Sequence, residues 1–197
     1  MKSLKQHLQT FGYECVLPNL PLTYLEFDLA AKVLEEMLDE YFYINLKDDE
    51  KIHFVGHSTG GLVIRKLLND TKYINKIGRC VLIATPNKGS HLANLASRMK
   101  PYVHIYKTLK SLSYDYLQQQ QLEISHPIEM AAIAGKRNNL LLGRLITEQN
   151  DGRVEVNSVQ FSGLKDFITL PYGHKDIHHQ METATHVDSF LKTGKLL

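Results

Sequence analysis

Residues 51–68 read KIHFVGHSTGGLVIRKLL, and the order of residue types in this stretch decides the fold. Lys51 to Val55 is an apolar run of strand length that passes directly into Gly56, and from Leu62 to Leu68 the apolar residues recur with helical period. The stretch therefore reads as a strand, a sharp turn and a helix. The turn itself, Gly56-His57-Ser58-Thr59-Gly60, fits the pattern G-x-S-x-G, in which a strained strand-to-helix turn lifts a serine hydroxyl into a cleft. Glycines are expected on both sides because a side chain at either place would collide with the neighbouring strand or the helix, while the serine backbone is held in an unfavourable conformation. With Gly and Ser each at about 7% of ordinary sequences, the pattern arises by chance in roughly one chain of this length in fifteen. The strand before it and the helix after it give it weight.

Working outward, apolar runs of strand length alternate with helical patterns along the chain, as a parallel sheet with crossover helices requires. Leu4 to Phe11 reads as a short helix and Tyr13 to Leu17 as a strand, followed by a loop marked by Pro18 and Pro21. Leu25 to Tyr43 reads as an amphipathic helix with Leu25, Leu29, Val33 and Met37 at four-residue spacing. Cys80 to Ala84, Met130 to Ala134 and Phe167 to Leu170 read as further strands, and Glu182 to Leu191 as the last helix. The expected class is α/β, a three-layer α/β/α sandwich with a mostly parallel sheet. The polar stretch from Ser97 to Pro127 suits one or two helices, either a crossover or a lid over substrate.

The 197 residues suit one well-cored domain, 1–197, and no repeat or linker marks a boundary. A hydrophobic share of 43% and a charged share of 22% are ordinary for a globular protein. A formal charge of +2, with no basic block and no Trp, gives no electrostatic footprint for nucleic acid, so none is expected as a partner. Cys15 and Cys80 each sit in an apolar run that reads as a strand, where a small buried thiol, unpaired, is the ordinary outcome. The opening residues lack the apolar core of a signal peptide and no stretch approaches the roughly 20 apolar residues of a membrane span, so the chain as written is expected in the cytoplasm. A start upstream of Met1 would reopen that assignment.

A serine hydroxyl is a poor nucleophile at neutral pH and needs an imidazole to take its proton and a carboxylate to fix the imidazole's tautomer. With a strand-turn-helix serine, the expected chain order is serine, acid, histidine. Asn150-Asp151-Gly152 forms a turn after the Met130 strand, and His174 follows the Phe167 strand after Pro171-Tyr172-Gly173, so both lie at carboxyl ends of strands, where α/β sites gather. Ser58, Asp151 and His174 are the candidates. His174 and His178 are four residues apart, but the Glu of H-E-x-x-H is missing, so no metal is expected and His178 and His179 read as surface histidines at a helix start. The loop Thr85 to Ser90 reads as scaffold beside the site.

Four ordered motifs, GHSTGG, ATPNKGS, NDGRVEVNSV and His174 followed by a helix ending FLKTGKL, together resemble the lipase- and esterase-like branch of the α/β hydrolases. That branch includes bacterial triacylglycerol lipases and proteins like the deacylase of glycosylphosphatidylinositol anchors. The resemblance implies Ser58 as nucleophile, Asp151 as the acid of N-D-G-x-V, His174 as base, and the backbone N–H of Thr59 as an oxyanion donor. It also implies no cofactor. Relatives of this kind open with a buried strand ending in His-Gly, whose loop supplies a second oxyanion donor, and no such segment is present in the sequence. The absent strand would lie between Tyr13–Leu17 and Lys51–Val55, so three outcomes are open: the fold is shortened and the exposed edges pair directly, another chain, a second copy included, covers them, or Met1 is an internal methionine and the strand lies upstream of it.

Two classes of function follow. One is a serine hydrolase cleaving carboxylic esters, with an acyl ester or lipid as substrate, an acyl-enzyme intermediate, and slow turnover because one oxyanion donor is missing. The other is a degenerate, non-catalytic hydrolase-fold protein that binds an acyl ligand or a protein partner. Acyl length, the alcohol, hydrolysis against transfer and the oligomeric state are not encoded in any motif.

Overall fold

The computed structural model describes residues 1–22, 26–45, 50–93, 111–120, 122 and 127–197. Four of the five runs expected as strands form one parallel sheet in the order β1-β2-β3-β4, with β1 at Ile52–His57, β2 at Ile77–Ile83, β3 at Met130–Gly135 and β4 at Asp166–Leu170. Val55 sits opposite Val81, Val81 opposite Ala131, and Ile133 opposite Ile168. Parallel neighbours need long crossovers, and these supply the helices.

β2 and β3 are apolar at nearly every position because both of their faces are covered. Val81, Ile83, Ala131 and Ile133 face one layer, where they pack with Leu4 and Leu8 of α1 (Lys2–Thr10) and with Val187, Phe190 and Leu191 of α6 (Met181–Thr193). Cys80, Leu82, Met130, Ala132 and Ala134 face the other, against Ile64 and Leu68 of α3 (Thr59–Asp70). Behind α3 lies α2 (Phe27–Asn45), and α4 (Tyr114–Gln119) packs on α2, with the ring of Tyr116 edge-on to Phe27 at 5.8 Å. A one-turn helix, α5 (Val156–Val159), joins this face before β4. The architecture is a three-layer α/β/α sandwich. Most of the stretch 97–127, for which a crossover or lid was the expectation, lies outside the described residues; α4 is the part that can be placed.

Two expectations are corrected. Tyr13–Leu17 is not a strand: it belongs to no sheet, because a ladder needs a neighbour's N–H and C=O groups and none of the described residues lies beside it in register. The same absence leaves the outer edge of β1 without a backbone partner among the described residues. Between them lies a groove of about 900 Å³, walled by Leu4 and Leu8 of α1, Met37 and Leu38 of α2, Val16 and Leu17, and Phe54 and Val55 of β1. Cys15 therefore sits in irregular chain, half-buried, while Cys80 is fully buried; both are free thiols.

The buried stripe of α2 also differs. Phe27, Ala30, Ala31, Leu34 and Leu38 face the core, while Leu29 and Met37 are exposed, and Leu25 lies outside the described residues. A strict four-residue repeat drifts around a helix of 3.6 residues per turn, so the stripe that faces a neighbour must mix steps of three and four.

Candidate active site

Ser58 joins β1 to α3 with φ 54° and ψ −128°, a conformation that L-residues rarely adopt. Such strain persists only where the surroundings over-determine it. Here the Ser58 N–H donates to the Ile83 carbonyl at 2.9 Å and the Gly61 N–H to the Ser58 carbonyl at 3.0 Å. The close approach of helix to strand explains Gly56, where a Cβ would stand 2.6 Å from Ile64 Cδ1 and 2.7 Å from the backbone of Gly61. It does not explain Gly60, where an added Cβ would meet nothing within 4 Å outside its own helix; the second tight position is Gly61, whose Cβ would strike the Thr85 side chain. The collision expected at both flanking glycines holds for Gly56 alone.

The loops after β1, β3 and β4 converge on Ser58. Its Oγ lies 3.0 Å from His174 Nε2, and His174 Nδ1 lies 2.8 Å from Asp151 Oδ2. A carboxylate accepts, so Nδ1 carries the proton and donates to Asp151, which leaves Nε2 bare to accept from the Ser58 hydroxyl. His174 is 3% exposed and Asp151 is fully buried at 0%. The other carboxylate oxygen, Oδ1, accepts from the N–H groups of Arg153 and Val154, both at 2.9 Å, so the buried charge is matched by three donors. That fold-back is built by the turn: Asn150 Oδ1 accepts from the Gly152 N–H at 2.8 Å, and Gly152 itself takes φ 98°. The His174 N–H donates to the Asp151 carbonyl at 2.8 Å, so acid and histidine are tied through backbone as well as side chain.

Thr85 to Ser90 holds these loops in place. Ser90 Oγ donates to the Arg153 carbonyl at 3.0 Å, Asn87 Nδ2 to the Val159 carbonyl at 2.7 Å, and the Lys88 N–H to the Ser158 carbonyl at 3.1 Å. Arg65 of α3 anchors the loop through the Asn87 carbonyl at 3.1 Å and stacks over Phe161; burial lowers its pKa to about 10, which leaves it charged at neutral pH.

Thr59 is the first residue of α3, so its N–H has no acceptor within the helix and stands at the positive end of the helix dipole. His57, whose side chain the motif left unassigned, contacts the histidine loop: its Nε2 lies 2.9 Å from the His174 carbonyl. Nothing in the sequence marks that contact, because its partner is a backbone atom 117 positions away. His178 is not a surface residue on a helix with His174. It lies in the 3-10 turn Ile177–His179, its ring stacked 4.4 Å from that of His57, and burial with the nearby amino terminus pushes its pKa down to about 4. No group of three His, Cys, Asp or Glu that could hold a metal occurs among the described residues.

A parallel sheet with its serine, acid and histidine loops at the carboxyl ends of β1, β3 and β4 is the α/β-hydrolase fold, and solved structures of similar fold include lipases and esterases. The chain superimposes on the mature lipase BlEst2 of Bacillus licheniformis with a TM-score of 0.74 at 17% identity, covering 98% of this chain and 84% of the lipase. For the metagenomic carboxyl esterase MGS0156 the TM-score is 0.71 at 18% identity, covering 88% of this chain and 58% of the esterase. For the phospholipase PlaB of Legionella pneumophila it is 0.67 at 16% identity, covering 87% of this chain and 49% of the phospholipase. At such identities the likeness is one of fold, and the chain spans only about half the length of the last two proteins. In sequence, residues 28–130 match the family described as a domain of unknown function, DUF7379, and the protein belongs to that family. No match among curated protein sequences was found.

Proposed function

We propose that the protein is a serine hydrolase acting on carboxylic esters, with Ser58 as nucleophile, His174 as general base and Asp151 as the acid that orients it. The observation that carries this reading is the continuous hydrogen-bonded chain from Ser58 Oγ through His174 to Asp151, in a site where the serine backbone is strained and the acid is buried. Ser58 Oγ attacks the ester carbonyl while its proton passes to His174 Nε2; the resulting imidazolium is stabilised by the Asp151 carboxylate. The oxyanion faces the Thr59 N–H and the amino end of α3. His174 then gives the proton to the departing alcohol, leaving an acyl group on Ser58. Water, deprotonated by His174, attacks the acyl carbon and releases the acid.

The substrate is an acyl ester or lipid, and the whole chain works as one catalytic domain without a cofactor. Among the described residues no helix is long and apolar enough to cross a membrane. Activated short-chain esters, whose good leaving groups depend less on oxyanion stabilisation, are the first substrates to test. A second copy laid over the outer edge of β1 would supply cover, a point that sedimentation decides. The function is tested by steady-state turnover of a nitrophenyl acetate or butyrate. Wild-type protein should turn it over and Ser58→Ala should not. Equal rates for both would overturn the reading, and inertness of both would favour the non-catalytic binder.

A further inference from the structure

Four imidazoles form a column that starts at the candidate base. The ring of His57 lies 5.0 Å from that of His174, His178 lies 4.4 Å beyond His57, and His179 lies 4.1 Å beyond His178. At the far end His179 Nδ1 lies 2.8 Å from Ser3 Oγ, which ties the column to α1. Of these rings only His57 bonds to the backbone of the His174 loop, with Nε2 at 2.9 Å from the His174 carbonyl. A carbonyl oxygen can only accept, so His57 Nε2 must carry hydrogen.

We propose that His57 is a positioning residue for the hydrolysis: its Nε2–H clamps the His174 carbonyl and so holds His174 Nε2 at bonding distance from Ser58. His174 is then gripped at both ends of its own backbone. Its N–H is bound by the Asp151 carbonyl and its carbonyl by His57, while the ring bridges Ser58 and Asp151. Burial, with His174 and His178 close by, pushes the His57 pKa well below the ordinary histidine value, so the clamp works as a neutral imidazole. His57 thus stays neutral with its single proton on Nε2, and it adds no positive charge beside His174 when that ring becomes an imidazolium. The placement is economical for the fold: the residue before the nucleophile, already fixed by the strained turn, reaches across to the loop after β4.

The inference rests on the proposed hydrolysis, and two readouts separate the fate of one from the other. His57→Phe keeps a ring in the column and removes the N–H. His57→Gln removes the ring and keeps an amide N–H at a similar distance from Cα. The clamp predicts that His57→Phe lowers kcat on the order of ten- to a hundredfold, since misplacing a reacting group by about 1 Å can cost that much, with KM within about twofold of wild type. His57→Gln should recover most of the loss. A kcat for His57→Phe equal to wild type, or equal losses in both variants, overturns the proposal. The second readout needs no turnover: proton NMR of the His174 Nδ1–H shared with Asp151. That low-field resonance should be present in wild type and His57→Gln and broadened or lost in His57→Phe. If the wild-type protein hydrolyses nothing, the functional reading falls while the resonance still decides the clamp, and an unchanged resonance in His57→Phe sinks it.

Discussion

The two sides of β1 are built to different standards. On the inner side the sheet continues through β2, β3 and β4, and the carboxyl ends of β1, β3 and β4 carry a polar cluster in which both Asp151 oxygens and both His174 ring nitrogens have partners. On the outer side β1 faces a groove of about 900 Å³ and, beyond it, an extended segment that joins no ladder. Val16 is 63% exposed there and Ile44 is 74% exposed, with Leu17 and Met37 also open to solvent. The contrast shows that the hydrogen-bonded chain of Ser58, His174 and Asp151 is complete without anything on the outer side. In the proposed reaction, the second oxyanion donor is the part that the resemblance assigns to the space beside β1.

The largest effect should come from breaking the inner side. Ser58→Ala and His174→Ala should abolish ester turnover with far-ultraviolet circular dichroism unchanged. Asp151→Asn should lower kcat about ten-thousandfold with little change in KM, because an amide in place of the carboxylate favours the wrong imidazole tautomer. An Asp151→Asn protein that melts early but turns over normally would make Asp151 a turn residue only.

The next effect should come from completing the outer side. Ser3 Oγ lies 2.8 Å from His179 Nδ1, so the start of α1 lies by the histidine loop at the carboxyl ends of the strands. A strand leading into α1 would therefore run parallel to β1 and finish beside the site. Where no residues precede Met1, joining an apolar strand of about six residues and a His-Gly turn ahead of α1 should raise turnover on the order of a hundred- to a thousandfold, the worth of one oxyanion donor. Unchanged turnover, with the strand shown by hydrogen exchange to be in place, would mean that the donor already exists elsewhere.

Packing at the turn predicts a smaller, structural difference. Gly56→Ala should cost about 1–3 kcal/mol of stability, since its methyl meets the Gly61 backbone, which cannot swing aside. Gly60→Ala faces the open groove and should leave stability unchanged or raise it by up to about 1 kcal/mol, as Ala replaces Gly in a helix. Thermal melts of the two variants separate the sides of the turn.

Acidification gives the mildest difference. His178 has its pKa lowered to about 4 in the folded protein and His57 is lowered well below the ordinary value, whereas both titrate near 6.5 when unfolded. Between those values the unfolded chain binds more protons than the folded one, so stability falls as pH drops from about 6.5 toward 4. His178→Gln should flatten the fall in Tm over that range. Parallel Tm curves for both proteins would show that the histidine column carries no such linkage.

Much of this was readable in the sequence wherever a pattern is local. The strand-turn-helix at Ser58, the runs of β2, β3 and β4, and the order of Ser58, Asp151 and His174 all follow from residue types within a few positions of one another. Tyr13–Leu17 misled because being a strand is a property of two chains of backbone, and an apolar run says nothing about whether a neighbour is there. Leu29 and Met37 misled because several rows of a helix can be apolar while only one meets the core. Gly60 stands where the motif puts a glycine, yet the steric demand falls on Gly61. His57 could not have been assigned, since its partner is a carbonyl and carries no residue identity.

The claim on which all of this depends is that Ser58 is an activated nucleophile. Incubation with a fluorophosphonate, followed by intact-mass and peptide mass spectrometry, tests it most directly. The account predicts a single phosphonyl adduct on the peptide bearing Ser58, absent from Ser58→Ala and strongly slowed in His174→Ala. A folded wild-type protein that takes up no label, or takes it up equally in Ser58→Ala, would contradict it.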